Sequence, residues 1–410
     1  MSLRRRELLI GGAALGAGAA ASRIPGVPAS ARADGGSDGA GGLAEVIPFE
    51  GAHQAGVLTT RQARAILVSY DAIAPSRAEL AAGLRALSER ARALAGGYDA
   101  LLGAPGEGPT PDSGVLGPRV RPDGLTVTIG FGASLFDRRY GLTASRPRAL
   151  KPMTTFPDDD LDPAECHGDV IVQLCANTQE TLLNALRDVS RATRGVLGPR
   201  WKIEGYLPDP RREAGAGRNL LGFKDGTANP DVADAATMDE LVWAGAGEPG
   251  WARGGTYQVV RIIRNRVEFW DRVSRSEQEL MIGRDKALGA PLGKAAELDD
   301  PEYDADPKGK RIPLDSHIRL ARPRTSGSEA SRILRRGYNY SRGIDAADQL
   351  DMGLIFVAFQ RDLERQFEVV QRRLDGEPLV DYIVPTGGGY FFLPPGARDS
   401  QDWVGSGLFV

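Results

Sequence analysis

Leu354–Leu374, LIFVAFQRDLERQFEVVQRRL, changes its hydrophobic period in the middle. Leu354–Gln360 is a short, nearly continuous apolar run, which predicts a buried strand. From Asp362 the period becomes helical. Leu363, Phe367, Val370 and Leu374 fall on one face and charged residues on the other. Working outward, Gly389–Leu393, GYFFL, predicts a last strand, and Arg332–Tyr340 is strand-like. Further upstream, Gly255–Arg264, GTYQVVRIIR, predicts another strand. Ser274 and Glu277 then form a capping box for a helix ending near Gly283. The order is strand, helix, strand, strand, helix, strand, with the irregular stretch Asp285–Ser331 inserted after the first helix. Loops of that length without their own structure are usually functional.

The first half reads the same way. Ala65–Tyr70 predicts a strand, and Ser76 with Glu79 caps a helix whose apolar face carries Leu80, Leu84, Leu87 and Leu94. Leu125–Phe131 and Asp169–Cys175 predict strands, Thr178–Val189 a helix, and Trp201–Leu207 the closing strand. Twice over this is βαββαβ, the ferredoxin-like unit of the α+β class, with an antiparallel sheet and helices on one face. The expected architecture is a tandem of two such domains, 34–205 and 206–410, arranged like a dimeric α+β barrel.

The chain has 410 residues, net charge −3 and a sequence pI near 5.8. That balance gives no bulk basicity for nucleic acid. The two cysteines, Cys166 and Cys175, read as small core residues. No CxxC or HExxH zinc pattern occurs. Asp158–Asp160 reads as a solvated acidic loop. Residues 1–33 have a basic start, a short apolar run and the A-x-A site Ala31-Arg32-Ala33, the pattern of a cleaved export signal. Arg4, Arg5 and Arg6 before Leu8 resemble a twin-arginine signal. The apolar run is too short for a stable membrane span.

Two segments carry chemistry. Gly222–Pro230 reads GFKDGTANP, and Asp315–Tyr340 reads DSHIRLARPRTSGSEASRILRRGYNY. Asp225 precedes His317 by 92 positions. Alone, Asp225 is a good turn residue and His317 an ordinary loop histidine. Together with HQAG at His53–Gly56, CHGD at Cys166–Asp169 and ILRRGYNYSRG at Ile333–Gly343, they resemble the dye-decolorizing peroxidase family over nearly the whole chain after residue 33. The deferrochelatase/peroxidase branch is the part most similar.

The resemblance implies haem b, one per chain, with His317 as the iron's axial ligand. It also implies Asp225 as the distal proton acceptor and Arg335 as the distal cation. Arg335 and Arg336 point to opposite faces of a strand, so only one reaches the haem. Gly226, Thr227 and Ala228 would line the distal side, with Arg322, Pro323 and Arg324 near the porphyrin and its propionates. The family more often has Asn at the position of Arg322. Asp362 is the expected acceptor that holds His317 in orientation, and His53 is expected away from the iron. The implied partners are hydrogen peroxide, an organic electron donor, an iron-uptake system and a second copy of the chain. The implied location is extracytoplasmic or periplasmic. The alternative class is a haem-delivery protein without turnover, for which both Asp225 and Arg335 would be superfluous. A chlorite dismutase-like enzyme, which shares the fold, would not need Asp225.

Overall fold

The computed structural model describes residues 42–101, 110–345 and 347–410. The export signal expected at 1–33 lies outside the described residues. The first unit runs β1 (Arg64–Ala72), α1 (Arg77–Gly96), β2 (Thr126–Gly132), β3 (Val170–Ala176), α2 (Gln179–Ala192) and β4 (Leu197–Tyr206). α1 begins at its predicted cap: Ser76 Oγ accepts the Glu79 N–H at 3.2 Å. Its leucines at 80, 84, 87 and 94 are buried.

The second unit opens with β5 (Thr256–Asn265) and α3 (Arg275–Ile282). The insertion follows and carries a one-turn helix, α4 (His317–Ala321). Then come β6 (Leu334–Arg335), β7 (Tyr338–Ile344) and β8 (Leu350–Gln360). A π-helical turn, Leu363–Phe367, leads into α5 (Glu368–Leu374), and β9 (Ile383–Leu393) ends the unit. The single strand expected at Arg332–Tyr340 is interrupted at Arg336–Gly337. Its two parts nevertheless keep one register on β8, with Arg335 opposite Ala358 and Tyr338 opposite Ile355.

The strands form one nine-stranded sheet in the order β5-β9-β2-β3-β1-β4-β7-β8-β6. Each unit contributes the same internal order, β2-β3-β1-β4 and β7-β8-β5-β9, as an internal duplication would leave. β5 also pairs with β8, so all strands of this sheet but the short β6 close into a ring. Closure removes the exposed sheet edges that two separate units would carry. The seams between units are short: Phe391 and Phe392 pair with Gly132 and Phe131, and Tyr206 pairs with Asn339.

Side chains alternate about the ring. Leu67, Ile171, Val260, Ile262, Ile355 and Val357 belong to one buried cluster fed by both units, the barrel interior. Ile66, Val68, Val127 and Val172 of the first unit belong instead to the cluster that α1 and α2 cover. In the second unit the outward residues Ile263, Leu354 and Phe356 face a cavity. The long insertion holds α4 over that face, and a cavity remains where the first unit packs helices. The loop at Asp158–Asp160 is more than the solvated turn expected. Asp159 and Arg261 of β5 form an ion pair whose side chains are both 1% exposed. Cys166 and Cys175 are free and buried. No described helix is long and apolar enough to cross a membrane.

Candidate active site

His317 is the first residue of α4 and lines the cavity. Its Nδ1 lies 2.9 Å from both carboxylate oxygens of Glu377. Glu377 follows α5, and its side chain is 3% exposed. Burial opposes charging of the imidazole, but the facing carboxylate outweighs it and the His317 pKa is raised. A carboxylate on Nδ1 fixes the ring's tautomer and orientation. Nε2 has no hydrogen-bond partner among the described residues. The acceptor expected from the sequence was Asp362. Its carboxylate is instead spent on capping the π-helical turn, where it accepts from the Glu364 and Arg365 N–H groups at 2.9 Å.

Asp225 stands in a turn made possible by Gly226, whose φ of 102° lies in the left-handed region. The Asp225 N–H donates to Gly217 O at 2.8 Å. Arg335 Nη1 donates to Asp225 Oδ1 at 2.7 Å, with the two side chains 30% and 26% exposed. Both line the cavity with His317, as do Gly226, Thr227 and Ala228. Arg336, the residue that follows β6, turns away from the cavity, and its guanidinium donates to Thr59 O. Burial pushes its guanidinium down to about 10.

Arg322 and Arg324 line the cavity, while Pro323 between them does not. Arg324 has φ 59°, a conformation that costs a non-glycine residue strain and is held where the surroundings over-determine it. It pairs with Asp300 at 2.8 Å, and Arg322 pairs with Glu329 at 2.8 Å. His53 is elsewhere: its ring stacks on Trp243 at 3.5 Å and Nδ1 meets Gly254 O.

Glu377, Arg284 and Arg332 also line the cavity, and no motif in the sequence marks any of them as a site residue. Arg284 is 7% exposed, and its guanidinium donates to the carbonyls of Gly289 and Glu297. Arg332 Nε is buried without a partner among the described residues, and its Nη1 lies 3.7 Å from the Glu329 carboxylate. Burial lowers the pKa of both guanidinium groups, and Arg322 and Arg324 press further on Arg332. Among the described residues, only Asp225 and Glu377 bring carboxylates to the lining.

Such a cavity is a slot between a sheet and a helical layer. It has apolar walls at Ile263, Leu354 and Phe356, an imidazole nitrogen to spare and positive charge in excess. A largely apolar ligand with two carboxylates and a metal centre fits that description, and iron protoporphyrin is such a ligand. With a carboxylate–guanidinium pair on the same cavity, fold and site define a haem-dependent oxidoreductase.

The comparisons name the family. Residues 54–207 match the family model "Dyp-type peroxidase, N-terminal", and residues 216–398 match "Dyp-type peroxidase, C-terminal". The chain belongs to the Dyp-type peroxidase family. It is 52% identical over 371 residues to the Deferrochelatase of Escherichia coli (strain K12), covering 88% of this chain and 86% of the relative. Among solved structures it resembles the DyP-type peroxidase from Cellulomonas bogoriensis with TM-score 0.80 and 37% identity, over 90% of this chain and 99% of that one. Ferric DtpA from Streptomyces lividans gives TM-score 0.80 and 36% identity, over 89% and 97%. The protein is a haem b peroxidase that uses hydrogen peroxide to oxidise organic donors.

Proposed function

We propose that His317 Nε2 would bind the haem iron, and that Asp225 and Arg335 are the catalytic pair for peroxide. The carrying observation is the imidazole anchored at Nδ1 by Glu377, on the same cavity as a 2.7 Å Asp225–Arg335 pair. Bound haem supplies the iron at which peroxide is reduced and from which the donor is then oxidised. The Asp225 carboxylate takes a proton from one peroxide oxygen and returns it to the other, so that the departing oxygen leaves as water. The Arg335 guanidinium offsets negative charge on the departing oxygen. Arg284, Arg322, Arg324 and Arg332 would hold the anionic edge of the cofactor, while Gly226, Thr227 and Ala228 shape the wall beside Asp225.

Stopped-flow mixing of the haem-loaded protein with hydrogen peroxide tests this. Asp225→Asn and Arg335→Leu should each keep haem and slow the peroxide reaction roughly a hundredfold or more. Wild-type rates in both variants would remove the pair from the mechanism.

The relatives' name supports a second activity, release of iron from haem with the porphyrin left whole, which would place the chain beside an iron-uptake system. Its readout is the fluorescence of metal-free porphyrin on incubation with haem and a reductant. The basic, apolar, A-x-A order of residues 1–33 supports twin-arginine export to an extracytoplasmic or periplasmic site. Normal export after Arg5→Lys and Arg6→Lys together would remove that reading. A homodimer and the domain limits 34–205 and 206–410 complete the proposal, and sedimentation of the haem-loaded protein tests the dimer.

A further inference from the structure

We infer that Asn229 is a positioning residue for the peroxide reaction, holding Arg335 by its main chain. The inference rests on the catalytic reading of Arg335 given above. β6 is two residues long and, among the described residues, pairs only with β8. Arg335 lies opposite Ala358, and the neighbouring Arg336 N–H, not that of Arg335, donates to β8, at Val357 O. The N–H and C=O of Arg335 therefore point away from β8, toward a side where no strand stands.

The Asn229 carboxamide fills that side. Its Oδ1 accepts the Arg335 N–H at 3.0 Å, and its Nδ2 donates to Arg335 O at 2.7 Å. One side-chain amide thus does for Arg335 what a neighbouring strand's peptide would do. Asn229 is itself tied to the turn carrying Asp225, since its N–H donates to Gly226 O at 3.0 Å. The contacts close a ring: Asp225 carboxylate, Arg335 guanidinium, Arg335 backbone, Asn229 amide, and the turn back to Asp225. The Asp225–Arg335 contact is partly exposed, and on that ground alone it fixes the two groups weakly. When peroxide comes between them, the backbone clamp keeps both side chains at their places on the wall. The Asn229 side chain need not touch the reacting atoms for this. Losing the clamp frees the Arg335 backbone, and misplacing a catalytic group by about 1 Å costs on the order of a hundredfold.

The test is a double-mutant cycle on the haem-loaded full chain, read as the second-order rate with hydrogen peroxide and as haem content. Asn229→Ala should slow the reaction about 10- to 100-fold with haem content unchanged. The isosteric Asn229→Asp, which keeps the acceptor and loses the donor, should also slow it, and it serves should the alanine variant not fold. In an Arg335→Leu background either substitution should cost less than about twofold, because the group being positioned is gone. Equal losses in both backgrounds, or no loss in wild type, would overturn the role of Asn229 while leaving Arg335 in place. A wild-type rate in Arg335→Leu alone would overturn both.

Discussion

Glu377 shows how one residue acts through another. Glu377→Gln keeps the shape facing His317 Nδ1 but removes the charge that fixes the ring. Outer-sphere changes of this kind cost about 10- to 100-fold in affinity or activity, so haem should transfer to apomyoglobin faster from the variant by a factor in that range. His317→Ala should lose most haem outright. Added imidazole should restore a histidine-type absorption spectrum, because the arginine-lined cavity remains. Unchanged haem occupancy without imidazole would exclude His317 as the ligand. That Asp225, His317 and Arg335 would meet at one cavity was legible in the sequence, because each sits in a short, characteristic segment. Glu377 was not, because the contact spans 60 residues and Asp-Gly-Glu-Pro after a helix reads as an ordinary turn. Arg284 and Arg332 look like surface charge until the cavity exists. Asn229 was in view within GFKDGTANP, but its partner is a backbone, and no side-chain pattern points to one.

At the scale of elements, period and caps predicted most strands and helices because those signals are local. The exceptions are informative. The helix after Asp362 opens with a π-helical turn, and its inward residues divide their work: Leu363 is fully buried, while Val370 and Leu374 line the cavity. The acidic loop was misjudged because the partner of Asp159 lies on β5, at Arg261. That pair joins the loop before β3 to the sheet that floors the cavity. Arg261 Nη1 is already buried without a partner, so a further loss would leave the guanidinium uncompensated. Asp159→Asn should therefore destabilise the protein by about 3–5 kcal/mol, as breaking a buried pair from one side does. Urea unfolding checks this. A change under about 1 kcal/mol, the scale of an exposed pair, would mean that the pair is solvated in solution.

For the whole molecule the question is whether the two βαββαβ units are independent. The sequence shows two copies of one pattern, and a pattern repeat reads naturally as two domains. It does not show closure of the ring, since register across a seam is set by contacts as distant as Phe392 with Phe131. The barrel interior answers the question physically. Leu67 and Ile171 come from one unit and Ile262 and Val357 from the other, all in one buried cluster. Separating the units would expose the inner face of both half-sheets, and burying each such side chain is worth about 1.5–3 kcal/mol. It would also leave four strand edges open where the closed ring leaves none of these. The full chain should therefore unfold in one calorimetric transition, with calorimetric and van't Hoff enthalpies in agreement. Chains cut after Leu207 and expressed separately should be aggregation-prone, and co-expression should recover a haem-binding pair. Two resolved transitions in the intact protein, or a soluble, cooperatively folding 208–410 fragment that binds haem alone, would show that the second unit is self-sufficient and that the ring adds little.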